Sequence, residues 1–216
     1  MPVDSTRLTG RFMKKAITGV ILAGGLNKRF NGQNKAFIRL GGQTIIERLY
    51  RLFKDLFNDI MIVTNNPVLF SGFDCLVTAD LFPIRASLTG IHTGLFYTGN
   101  DHIFVCACDT PFLKRALVET VLEAIHPSAG ATIPATSAGL EPLCAAYAKK
   151  YLPLVERHVT QNQMKIQRVF GEKRIHEVSE RKLRRADPDL VSFFNINRPE
   201  DLDLAKRMIA NREVGE

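Results

Sequence analysis

The run Ile17-Thr18-Gly19-Val20-Ile21-Leu22 is almost wholly apolar and ends directly on Ala23-Gly24-Gly25. A strand without polar alternation has both faces covered, and such strands belong to parallel sheets flanked by helices on each side. The rest of the chain repeats the pattern. Apolar residues at Ile45, Leu49, Leu52, Phe53 and Leu56 have helical spacing, with Thr44 placed to cap the helix start. Strands are expected at Asp59 to Thr64, Cys75 to Thr78 and His102 to Ala107, and helices at Ser87 to Tyr97 and Lys114 to Ile125. Farther on, strands are expected at Ala131 to Pro134, Leu143 to Tyr147 and Arg174 to Val178, with a turn at Ser137-Ala138-Gly139. Helices are expected at Gln163 to Phe170 and from Pro199 to Asn211, where proline followed by Glu200 and Asp201 suits a helix N-terminus. The fold class is therefore α/β, a single domain with a mainly parallel sheet, flanking helices and a small lobe in the less regular second half. Residues 1–12 lack apolar periodicity and read as dispensable, within a flexible extension over 1–15 ahead of a domain spanning 16–216.

Composition narrows the class of function. The chain has 216 residues, 45% of them hydrophobic and 24% charged, with no apolar run near the roughly 20 residues that cross a bilayer. Ile17 to Gly25 is too short and too glycine-broken for a secretory signal, so a cytoplasmic protein with no membrane partner is expected. Cys75, Cys106, Cys108 and Cys144 include no Cys-x-x-Cys pair and read as small buried hydrophobes, giving neither a disulfide framework nor a zinc site. The net charge of +7 is concentrated in two places, residues 1–15 and 165–185, the latter with eight basic residues against three acidic. No aromatic side chains are interleaved there as stacking platforms, which argues against a nucleic-acid partner. Lys165 to Arg185 reads either as a solvated face or, through Lys165 and Arg168, as positive charge beside an anionic substrate. The five histidines stand singly and are expected in surface or capping roles.

The segment that carries chemistry is Leu22-Ala23-Gly24-Gly25, continued to Lys35. Adjacent glycines at the carboxyl end of a buried strand let backbone amides approach a ligand, and Arg29 and Lys35 add positive charge to the same loop. The spacing matches neither the P-loop nor the dinucleotide fingerprint, but the combination suits a polyphosphate. Asp109, in Cys108-Asp109-Thr110-Pro111 after the strand ending at Ala107, sits where one carboxylate can hold Mg²⁺ against substrate phosphates. Asp80, after Thr78, is a second carboxylate at the same sheet edge.

Taken with Glu141-Pro142-Leu143 and the closing Asn195-Ile196-Asn197-Arg198-Pro199-Glu200-Asp201-Leu202, these motifs resemble the molybdenum cofactor guanylyltransferases, within the wider nucleotidyltransferase family. The resemblance runs from about Ala16 to the C-terminal helix and implies a Rossmann-like nucleotidyltransferase domain whose small lobe lies on the acceptor side. It implies that Leu22, Ala23 and Gly24, with Gly25 beside them, contact the guanine end of GTP. It places Lys35 on the phosphates, Asn65 and Asp80 on the nucleotide, and Asp109 on Mg²⁺. Asn195 and Asn197 fall near the pterin side. The implied reaction transfers GMP from GTP to the terminal phosphate of molybdopterin, with Arg29, Lys35 and Asp109 as the catalytic residues. Further partners would be molybdoenzyme apoproteins or other cofactor-biosynthesis proteins. Two departures stand out: Ala86-Ser87-Leu88-Thr89-Gly90 replaces the usual Gly-Pro-Leu-Ala-Gly, and Arg198 replaces a common threonine. The first leaves open a CTP-dependent or sugar-phosphate nucleotidyltransferase. A non-catalytic cofactor-binding homologue is the alternative from another class.

Overall fold

The computed structural model describes residues 17–25 and 34–213. The extension expected over 1–15 lies outside the described residues, as does Arg29. In chain order the elements are β1 (Ile17–Leu22), β2 (Arg39–Leu40), β3 (Gln43–Thr44), α1 (Ile45–Leu56), β4 (Asp59–Val63), β5 (Leu76–Thr78), α2 (Ser87–Tyr97), β6 (His102–Ala107) and α3 (Arg115–Glu123). They continue as β7 (Ala131–Thr136), β8 (Gly139–Leu140), β9 (Cys144–Ala148), α4 (Leu152–Thr160), α5 (Ile166–Phe170), β10 (Ile175–Ser179), α6 (Glu180–Ala186) and α7 (Pro199–Glu213).

One sheet dominates, in the order β10-β7-β9-β6-β1-β4-β5, with β8 attached to β7. β1 lies between β4 and β6 and is parallel to both, as its two-sided burial requires. β9 is antiparallel to both β6 and β7, so β7 again runs with β6, and β10 is parallel to β7. The second half, expected as a small lobe, thus continues the same sheet. The carboxyl ends of β1, β4, β5, β6, β7 and β10 all meet one edge.

Alternate residues of β1 feed two cores. Ile17 and Ile21 join Phe53, Phe104 and the buried residues of α1, α3, α6 and α7 on one face. Val20 joins Met61, Ile103 and the buried residues of α2, α4 and α5 on the other. Between Ile17 and Ile21 a Cβ at Gly19 would lie 2.5 Å from the Phe57 ring and 2.7 Å from that of Phe53. The glycine is what lets Phe53 and Phe57, 5.0 Å apart between ring centroids, settle onto the strand. The start of α1 follows from its sequence: the Thr44 hydroxyl accepts from the Glu47 amide at 3.3 Å, and the Glu47 carboxylate accepts from the Thr44 amide at 2.7 Å.

Several expectations need correction. α4 and α6 are helices where none was expected, and α5 begins at Ile166, three residues later than the pattern suggested. Cys106 and Cys144 are fully buried, whereas Cys75 and Cys108 are only half-buried; all four are free thiols. His92 is neither at the surface nor a cap. It is 2% exposed, packed edge-on against Phe82 at 4.9 Å, and neither ring nitrogen has a partner. Burial lowers its pKa, because an imidazolium there would lose its hydration, although Glu156 pulls the other way. His126 and His158 do act locally, through Ser128 Oγ at 2.8 Å and the Leu154 carbonyl at 2.9 Å.

Candidate active site

At the carboxyl edge of the sheet a cleft of about 340 Å³ opens across the ends of β1, β4 and β6. Its floor is the glycine turn. Ala23 is locked into the sheet: its amide donates to the Val63 carbonyl at 2.7 Å, and its own carbonyl accepts from the Thr64 hydroxyl at 3.2 Å. The Leu22 carbonyl accepts from the Cys108 amide at 3.0 Å, which ties the glycine turn to the segment carrying Asp109. With these carbonyls engaged, the turn's contribution to a ligand is its donors, the Gly24 and Gly25 amides, beside which no Cβ stands.

Asn65 is brought to the site by the end of β4. Its side-chain amide donates to the Gly24 carbonyl at 2.6 Å. A Cβ on Gly24 would lie 3.1 Å from that amide and 3.8 Å from Asp80 Oδ2, so these three residues form one corner of the cleft. Asp80 Oδ1 is buried with no partner. Burial pushes the Asp80 carboxyl up to about 6, with the Thr89 hydroxyl opposing the shift. A buried acceptor without a donor is a standing cost that a ligand N–H can remove.

The opposite corner holds Lys35 and Asp109. Lys35 lies in a 3-10 turn capped by the Asn34 side chain, whose oxygen accepts from the Ala36 amide at 3.0 Å. Its ammonium donates to the Ile196 carbonyl at 2.7 Å and to Asn197 Oδ1 at 3.4 Å, and it stands 3.8 Å from Asp109 Oδ2. The Ile196 amide donates back to the Asp109 carbonyl at 2.9 Å. The closing segment is thus a clasp that joins the two charged residues. Burial raises the Asp109 pKa, and the Lys35 charge opposes it. Asp201 caps the helix that follows, accepting from the Asn197 and Arg198 amides at 2.8 Å each, and these bonds hold its carboxyl low.

Of the residues singled out from the sequence, Leu22, Gly24, Gly25, Lys35, Asp80 and Asp109 line the cleft. Ala23 is buried beneath it, and Asn65 and Asn197 reach it through Gly24 and Lys35. Asn195 does not: its side-chain amide donates to the Phe193 carbonyl of its own loop at 2.9 Å. Lys165 and Arg168 are exposed and do not line the cleft. Ala86 and Ser87 of the altered loop and Leu143 of the Glu141-Pro142-Leu143 motif also line it, together with Arg85, which belongs to none of the sequence motifs. Among the described residues no cluster of three or more His, Cys, Asp or Glu could hold a metal alone. A hard divalent cation on Asp109 fits nonetheless, with substrate phosphates and water as the other ligands. No described helix is long and apolar enough to cross a membrane.

A doubly flanked, mainly parallel sheet with a glycine turn, a lysine and an aspartate at its carboxyl edge defines a nucleotidyltransferase-type α/β domain. The chain belongs to the family of MobA-like NTP transferase domains, whose model matches residues 19–178. It is 44% identical over 194 residues to the molybdenum cofactor guanylyltransferase of Desulfosudis oleivorans, covering 90% of this chain and 96% of that one. Among solved structures it resembles molybdopterin-guanine dinucleotide biosynthesis protein A from Archaeoglobus fulgidus, at 29% identity and a TM-score of 0.79 over 90% of this chain and all of that one. The fold alone is shared with 2-C-methyl-D-erythritol 4-phosphate cytidylyltransferase from Thermus thermophilus, at 18% identity, covering 90% of this chain and 98% of that one, with a TM-score of 0.64.

Proposed function

We propose that this protein transfers GMP from GTP to the terminal phosphate of molybdopterin and releases pyrophosphate. The observation that carries the reading is the joining of Lys35 to Asp109 through Ile196, in a cleft that the Gly24-Gly25 turn also lines. An oxygen of the acceptor phosphate forms a bond to the α-phosphorus, and the bond from that phosphorus to the bridging oxygen of the leaving pyrophosphate breaks. The phosphate nucleophile is already ionised near neutral pH, so no side chain need remove a proton. Alignment and charge neutralisation are what the enzyme supplies.

The Gly24 and Gly25 amides and Lys35 hold phosphate oxygens, and Lys35 with Arg29 steadies the charge that develops on pyrophosphate. Asp80, with its unpartnered buried oxygen, accepts from the adjacent ring and amino N–H groups of guanine, and Asn65 fixes the glycine turn beneath the base. Cytosine lacks that adjacent pair of donors, which favours GTP over CTP despite the altered loop at Ala86. Asn197, and Asn195 behind it, lie toward the pterin side. Asp109 holds Mg²⁺, which when bound offsets the repulsion between the two phosphates. The setting is cytoplasmic, and molybdoenzyme apoproteins are downstream partners of the product.

The test is turnover with GTP and CTP on molybdopterin in the presence of Mg²⁺, with pyrophosphate measured. GTP should be the preferred nucleotide. Absence of pyrophosphate from GTP, or equal rates with the two nucleotides, would defeat the reading.

A further inference from the structure

Lys35 is not the only basic side chain on the described walls of the cleft. Arg85, in the loop between β5 and α2, lines it beside Ala86, Ser87 and Gly90. Lys35 is engaged with Ile196, Asn197 and Asp109. Arg85 is exposed and makes no hydrogen bond or ion pair among the described residues, although Asp80 and Asp109 line the same cleft.

The two cations come from opposite layers. The turn carrying Lys35 buries Ala36 in the core beneath α1, on one face of the sheet. Arg85 leads into α2, whose Leu88 and Ile91 belong to the core on the other face. The cleft floor, Gly24 to Asp109, lies between them. α2 reinforces the positive wall: its N-cap is Ala86, which offers no side-chain oxygen, and no acidic residue stands in its first turn. The positive end of an 11-residue helix is therefore left uncapped beside Arg85.

We propose that Arg85 is a phosphate-binding residue, its guanidinium gripping a phosphate group of a bound substrate from the wall opposite Lys35. The proposal rests on the transferase reading above, in which a triphosphate and a phosphate monoester must share one cleft. Lys35 divides its charge with Asp109, so a second cation is what the crowded anions lack. The planar fork of arginine matches two phosphate oxygens at once, whereas lysine presents a single point of charge.

The test compares wild type with Arg85→Ala and Arg85→Lys. Affinities for GTP, GDP, GMP, guanosine and inorganic triphosphate are measured alongside the Michaelis constant for molybdopterin. Because Arg85 is exposed and has no partner among the described residues, both variants should keep the wild-type melting temperature. Arg85→Ala should weaken one phosphate contact roughly 10- to 100-fold, the range for a charge-assisted hydrogen bond, and Arg85→Lys should recover part of it. Weaker GTP and triphosphate binding with guanosine unchanged assigns the contact to the nucleotide. A raised constant for molybdopterin with GTP binding unchanged assigns it to the acceptor. If wild type releases no pyrophosphate from GTP, the functional reading fails on its own, and triphosphate binding still decides for or against Arg85. Constants within twofold of wild type across the whole set would overturn the proposal.

Discussion

Replacing Asp80 with asparagine should stabilise the unliganded protein at neutral pH while weakening its hold on GTP. In the fold this carboxyl keeps its proton up to about pH 6, against 3.8 for an ordinary aspartate, because burial penalises the charge. A carboxyl raised in this way contributes stability that is full below about pH 4 and is lost as the pH climbs through 6. Two pH units at about 1.4 kcal/mol each would come to about 3 kcal/mol. Partial contact of the side chain with solvent screens that figure to about 1–2 kcal/mol. Asp80→Asn cannot ionise, so wild type should lose about that much relative to the variant between pH 4 and 7. Asp109 and Glu141, also raised by burial, titrate in both proteins and cancel in the difference. Urea unfolding at a series of pH values reads it directly, and near neutral pH the variant should melt about 2–8 °C higher. In the same variant GTP affinity should fall roughly 10- to 100-fold, the scale of a lost hydrogen bond to a charged acceptor. Parallel stability profiles for the two proteins would refute the reasoning, since they would mean that Asp80 carries no uncompensated charge.

Three further expectations follow from particular contacts. Asp109→Asn should leave the fold intact and lower pyrophosphate release at least about a hundredfold, the scale of losing a central electrostatic group; near-normal turnover with unchanged Mg²⁺ dependence would move the metal elsewhere. Lys114→Ala removes the ammonium 2.8 Å from the fully buried Asp187 and should destabilise the protein by about 2–3 kcal/mol in urea unfolding, because a buried carboxylate then stands uncompensated. Gly90→Ala places a methyl 2.8 Å from Leu22 Cδ2; displacing Leu22 at the cleft should raise the Michaelis constant for GTP severalfold and cost about 1 kcal/mol in stability, and an unchanged constant would show that Leu22 shapes no part of the nucleotide site.

The parts legible in the sequence were those that local chemistry dictates. An unbroken apolar run gave β1 its central place, Thr44 marked the start of α1, and the glycine pair and Asp109 stood at strand ends where ligands bind. α6 escaped because six of its seven residues are not buried and only Leu183 faces the core, leaving no period to detect. α4 escaped because Pro153 reads as a break, although proline is at home in a first turn. His92 carries no motif, and it lies on a helix buried from Leu88 through Leu95, where an amphipathic pattern gives no inside or outside. The site's main connection, Lys35 to Ile196, spans 161 residues. Spacing along the chain says nothing about which carbonyl a lysine will find once the sheet has closed. Arg85 stands just ahead of the stretch, Ala86 to Gly90, that departs from the family's usual form, and no motif marks it.

The clasp at Ile196 has a consequence for how the enzyme comes into being. A chain emerging from the ribosome can form β1, β4 and β6 and set out the glycine turn and Asp109 well before Asn195 is free to fold. Until then the Ile196 carbonyl that anchors Lys35 is missing, and so is the amide that bonds Asp109. Nucleotide chemistry therefore waits on this late segment, and a nascent or clipped chain that stops short of it lacks the contacts that join Lys35 to Asp109.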